Sequence, residues 1–126
     1  MKKTLFIYLI SFTALTSNAQ TNFRSITVDT GSVQVNAGFT EIKNINIANL
    51  TTTTLYVKFY NKASKVYVTD TPVVTYQLGS NALTKATIDN LMGWTFKSGL
   101  WIRCTSGATD TSTAVPTTKP IIELRY

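Results

Sequence analysis

Histidine is absent from the 126-residue chain, and cysteine occurs once. The first absence excludes His-based general acid–base catalysis and His-ligated metal. The second excludes a disulfide framework within the chain. Acids are scarce, with 6 Asp+Glu against 12 Lys+Arg and a net charge of +6. Charged residues make up only 14% and hydrophobic residues 44%. Disorder needs the opposite balance, low hydrophobicity with high net charge. What the chain has in quantity is threonine, with 23 residues, 20 of them beyond position 20. A β-branched residue at that density, with few charges around it, reads as β structure. The length predicts one domain. Composition points to a small, non-enzymatic β domain with no cofactor.

The first twenty residues, MKKTLFIYLISFTALTSNAQ, carry an address. Lys2 and Lys3 make a basic start, Leu5 to Leu15 an apolar stretch, and Ser17-Asn18-Ala19 a small-residue cleavage site. This is the layout of a bacterial secretory signal peptide over residues 1–19, cut between Ala19 and Gln20. The apolar stretch is shorter than the roughly 20 residues that cross a bilayer. Cleavage would leave a single β-sandwich domain over residues 20–126. A domain of that size hides about two-thirds of its unfolded surface and folds without metal or disulfide. Export also suits a lone thiol, and Cys104 is expected in the core.

Along the rest of the chain, period-two alternation is common and helical period nearly absent. Strands are expected at Phe23–Val28, Ser32–Val35, Phe39–Ala48, Leu55–Tyr60, Val66–Val68, Val73–Leu78, Leu100–Cys104 and Ile121–Tyr126. Gly, Asn and Pro clusters bound them. In Leu55–Tyr60, Leu55, Val57 and Phe59 share one face, and Tyr56, Lys58 and Tyr60 the other. Ala82–Met92 is ambiguous and read as irregular. Gly93–Gly99 and Ser106–Thr118 read as loops. The expectation is all-β: a β-sandwich or jelly-roll-like fold of seven to nine short antiparallel strands.

Reactive constellations are thin. The acids beyond the leader are Asp29, Glu41, Asp70, Asp89, Asp110 and Glu123, and several sit in turn contexts. Nothing places two of them together across a cleft, as glycoside hydrolysis requires. Cys104 would lack a His base. No phosphate-cradling glycine loop or metal-ligand cluster is present. Lys58, Lys62 and Lys65, mixed with Tyr56, Tyr60 and Tyr67, could stack bases and hold phosphate. The plainer reading is a solvated sheet face with aromatic cross-strand pairs, so no nucleic-acid partner is expected. Trp94 and Trp101 flank a Gly-bounded loop. With Tyr56 and Tyr60 they form a candidate aromatic contact surface of the kind that stacks on sugar rings. Asn49-Leu50-Thr51 matches a glycosylation sequon, read as chance in a bacterially exported chain.

The segment from about Thr54 to Tyr126 resembles small β-sandwich structural proteins of bacteriophage and prophage virions. The resemblance rests on Leu55-Tyr56-Val57-Lys58-Phe59-Tyr60-Asn61-Lys62-Ala63 and Thr69-Asp70-Thr71-Pro72-Val73-Val74. Ser98-Gly99-Leu100 and Gly107-Ala108-Thr109-Asp110-Thr111 follow, then a closing apolar strand. In these motifs Asp70, Pro72 and Asp110 are expected to fix turns, Asp70 and Asp110 through their carboxylates and Pro72 through its fixed φ. One carboxylate at Asp110 is far short of a Ca²⁺ loop. The resemblance implies a capsid-surface, vertex or spike-type component, a homo-oligomer packed against other virion subunits. The leader would then route it through the host membrane or periplasm, where a membrane or surface glycan is a further contact. The alternative is a secreted protein of the bacterial surface that binds carbohydrate through exposed aromatics.

Overall fold

The computed structural model describes residues 21–80, 83–84 and 94–126. The leader with its Ala19/Gln20 cut, and most of the irregular Ala82–Met92 stretch, lie outside the described residues. The described chain is all-β, with ten short strands and no helix among these residues. They are β1 (Asn22–Ser25), β2 (Val33–Asn36), β3 (Thr40–Glu41), β4 (Asn44–Ala48), β5 (Leu55–Asn61), β6 (Val74–Leu78), β7 (Leu83–Thr84), β8 (Thr95–Phe96), β9 (Leu100–Thr105) and β10 (Ile121–Arg125). Seven have four residues or more; β3, β7 and β8 have two.

Two four-stranded antiparallel sheets carry the fold, in the orders β1-β10-β4-β7 and β2-β9-β5-β6. A two-stranded pair, β3-β8, stands beside them. Alternation decides which side chains lie between the sheets. Ile45, Ile47, Ile122 and Leu124 of the first sheet are buried in one cluster with Leu55, Val57, Phe59, Leu78, Leu100, Ile102 and Cys104 of the second. Two inner faces closing on one apolar layer make a sandwich.

The expected layout is corrected in several places. The first strand ends at Ser25 rather than Val28, and the Gly93–Gly99 stretch read as a loop holds β8, paired with β3. The Phe39–Ala48 run breaks at Ile42–Lys43. Ile42 N–H donates to Trp94 O (3.2 Å) and Lys43 N–H to Arg125 O (2.7 Å), so the chain leaves the small pair and joins the first sheet there. Val66–Val68 is not a strand. The Asp70 carboxylate accepts the Tyr67 N–H at 2.7 Å, and Asp70 N–H donates to Tyr67 O at 3.1 Å. This side-chain turn outweighs the β-branched pair. The Thr-rich stretch after Asn49 has a similar cause. Asn49 Oδ1 accepts from Thr51 N–H and Thr51 Oγ1, while its amide nitrogen donates to Thr53 O and Gly79 O. Asn49 is 1% exposed, so the sequon match is consumed in the fold.

Candidate functional site

The outward side of the second sheet concentrates the polar and aromatic groups. Because Leu55, Val57 and Phe59 fill the core, Tyr56, Lys58 and Tyr60 point the other way. Register places Tyr56 opposite Thr105, Lys58 opposite Arg103 and Tyr60 opposite Trp101. The middle of this face is covered, which corrects the expectation of a solvated surface there: Lys58 is 0% and Arg103 2% exposed. The cover is a strap, residues 106–119, together with the turn at 29–32. Lys58 Nζ donates to Thr109 O on the strap. Arg103 Nε donates to Thr30 O (2.9 Å), Nη2 to Ser112 O (3.3 Å) and Nη1 to Tyr60 Oη (3.4 Å). The strap is tied at its far end by Lys119 Nζ to Asp29 Oδ2 (2.8 Å).

Two cations therefore face each other across paired strands. Like charges in that position repel. Among the described residues no carboxylate lies within ion-pair distance of either; carbonyl oxygens and the Tyr60 hydroxyl take the donors instead. Burial pushes the Lys58 ammonium below its ordinary pKa, and Arg103 adds to the fall. Burial pushes the Tyr60 phenol up. At the strap's tie, the Lys119 hydrogen bond and then the Gly31 N–H hold the Asp29 carboxyl down. Trp101 Nε1 is buried on this face without a hydrogen-bond partner.

The candidate aromatic surface is divided. Trp94 packs edge-on against the core ring of Phe59, with centroids 5.3 Å apart. Tyr56, Tyr60 and Trp101 lie on the opposite face of the same sheet, Tyr60 at 2% exposure. No one surface brings the four rings together. The lysine stripe is divided too. Lys58 lies under the strap, and Lys62 is paired with Asp70 at 2.7 Å and sits 5.3 Å from the Tyr67 ring. Lys65 is exposed.

Of the turn-fixing residues, Asp70 acts as expected, accepting from both Lys62 Nζ and Tyr67 N–H. Its carboxyl is held low by the Lys62 bond first and the Tyr67 bond second. Pro72 follows that turn and leads into β6. Asp110 is a correction. It is exposed, and among the described residues its carboxylate makes no hydrogen bond. Ser112 shapes the strap instead: its N–H donates to Thr109 O (3.0 Å) and its Oγ accepts from Ala114 N–H (3.2 Å). The other described acids are paired one to one, Arg24–Glu123 at 3.0 Å and Lys43–Glu41 at 2.7 Å, besides Asp29 and Asp70. A depression of about 180 Å³ on the first sheet, lined by Asn22, Arg24, Asn46 and Glu123 among others, is smaller than the usual small-molecule site.

Cys104 is fully buried, and burial pushes its thiol from an ordinary 9.0 up to about 12. The unfolded chain therefore loses this proton first as pH rises, so the contribution to stability is intact below pH 9 and falls above it. By about pH 10 the expected loss is about 1.4 kcal/mol relative to pH 8. Lys58 works the other way, because its folded pKa is lowered and deprotonation relieves the folded state. Urea unfolding of the wild type and Cys104→Ala at both pH values isolates the thiol. The gap between the two should change by about that amount; an unchanged gap would refute a buried, neutral thiol.

The class that these features define is an antiparallel β-sandwich with the middle of one outer sheet face covered by a strap. No family model, curated protein or solved structure matches the chain.

Proposed function

We propose that this chain is a structural, non-catalytic subunit of a bacteriophage particle, a capsid-surface, vertex or spike-type component that works by packing. The observation that carries the reading is how the motif segments meet. Asn61 Oδ1 accepts the Ser98 N–H at 2.8 Å. Lys62 N–H donates to Gly99 O at 3.0 Å, and Lys62 Nζ pairs with Asp70. The strap segment Gly107–Thr111 takes the Lys58 donor. The residues behind the phage-protein resemblance thus brace one another rather than line a cleft, which is what a repeating building block needs. Two four-stranded sheets also match the strand count of jelly-roll subunits. The carbohydrate reading takes Trp94, Trp101, Tyr56 and Tyr60 as aromatic platforms, and Trp94 lies on the other side of the sheet from the remaining three.

Mass spectrometry of purified particles tests the proposal. The expected result is this chain at high copy number, with Gln20 as its first residue. A chain found only in the bacterial envelope, with glycan binding lost on Trp101→Ala, would overturn it in favour of the surface-protein reading.

A further inference from the structure

Strand β6 is an open edge of the second sheet, pairing among the described residues only with β5. Its five residues, Val74-Thr75-Tyr76-Gln77-Leu78, include no charge, no proline and no glycine. Edges are normally blunted by such residues, by bulges or by shortness. The other edges of the two four-stranded sheets are: β1 carries Arg24, β2 has a register shift between Gln34 and Asn36, and β7 has two residues.

Backbone parity shows which groups this edge offers. Cys104 N–H donates to Asp29 O (2.8 Å), and so points away from β5. Lys62 N–H donates to Gly99 O (3.0 Å), so the even-numbered residues of β5 bond toward β9. In an antiparallel ladder the bonding direction alternates along each strand. Val57 therefore bonds toward β6, where Tyr76 stands opposite it. Tyr76 is used up, and the N–H and C=O of Thr75 and Gln77 face outward.

We propose that β6 pairs antiparallel with β6 of a second copy of this chain, centred on Tyr76. Thr75 then stands opposite Gln77 of the second copy, and Gln77 opposite its Thr75. All four outward N–H groups in the pair meet outward carbonyls. Val74 meets Leu78, and Tyr76 meets Tyr76, on the core side. Thr75 and Gln77 lie on the exposed side. The strand overlaps itself in full, and no charge opposes a like charge in a chain of net +6. Neutrality and the two-fold match of donors to acceptors favour a second copy over an acidic or basic partner strand. The product is one eight-stranded sheet running through two sandwiches. This deepens the assembly reading above by naming the strand through which copies meet.

Sedimentation of the purified chain should show a concentration-dependent dimer. Thr75→Glu/Gln77→Glu puts Glu opposite Glu at both pairs and should weaken the dimer at least tenfold. Thr75→Glu/Gln77→Lys puts Glu opposite Lys and should restore it. Both positions are exposed, and Glu at 75 lies beside Lys58 within its own chain, so the fold is left intact. A wild type that stays monomeric, or a Glu/Glu variant that dimerises unchanged, overturns the pairing. Absence from particles would instead refute the virion role and leave this interface standing.

Discussion

Phe59→Ala should cost about 3–5 kcal/mol of unfolding free energy, a large share of what a small domain possesses. Phe59 is fully buried at the middle of β5, the strand with neighbours on both sides. Ile102 flanks it on β9 and Val74 on β6. Its ring meets Trp94 edge-on at 5.3 Å and Phe96 at 6.5 Å. Truncation therefore removes transferred apolar area, opens a cavity between the sheets and ends two aromatic contacts, each worth about 0.5–1.5 kcal/mol beyond area. Phe96 belongs to β8, so the loss also loosens the small β3-β8 pair against the sandwich. Val115→Ala, at an exposed strap position, is the control and should stay within about 0.5 kcal/mol of wild type. Urea midpoints at constant slope give both values. A Phe59 cost under about 1 kcal/mol would mean that the two sheets do not close on this ring.

The layers of the fold were legible in the sequence because alternation needs only residue identities. Leu55–Tyr60, Leu100–Cys104 and Ile121–Tyr126 each assign their own inner face, and Cys104 falls on the inner side by parity alone. The cover was not legible. Lys58 on an outward position reads as solvent-facing, and the oxygen that buries it belongs to Thr109, 51 residues away. Arg103 was visible as outward, yet its carbonyl partners lie on Thr30 and Ser112, in two separate loops. Local patterns carry no record of which loop returns over which face. Turn chemistry was half legible. Asp70 acts through neighbours three and eight residues away, within reach of a motif reading. In the strap several polar residues compete, and Ser112 shapes the turn where Asp110 was expected to. Alternation itself hid the break at Ile42–Lys43, since a β-branched run looks continuous whether or not the chain changes sheets. Trp94 and Trp101 are near in sequence, but one precedes β8 and packs on the core while the other takes an outward position of β9. They are seven positions apart in sequence, and a sheet lies between.

The two buried cations should answer mutation in opposite ways. Arg103→Ala is expected to cost about 3 kcal/mol or more. It leaves Thr30 O, Ser112 O and Tyr60 Oη without their donor, and buried acceptors without partners cost about 1–3 kcal/mol each where water does not replace the bond. It also empties the volume of a side chain that joins β9 to both covering loops. Lys58→Met keeps the aliphatic stem and removes one of two facing positive charges. Only the Thr109 carbonyl loses a donor, and Thr109 itself is exposed to water. Replacing a buried charge by an apolar side chain of similar size is often neutral or stabilising. Lys58→Met should therefore unfold within about 1 kcal/mol of wild type or above it, and should lose the gain in stability that deprotonation of Lys58 gives at high pH. Salt separates the two further. The Lys58–Arg103 repulsion is shielded little by added ions because both groups are out of water, so the difference between the variants should persist at high ionic strength. Equal destabilisation by the two substitutions would mean that the strap is held by both cations alike, and that the repulsion between them is offset by an anion bound on this face.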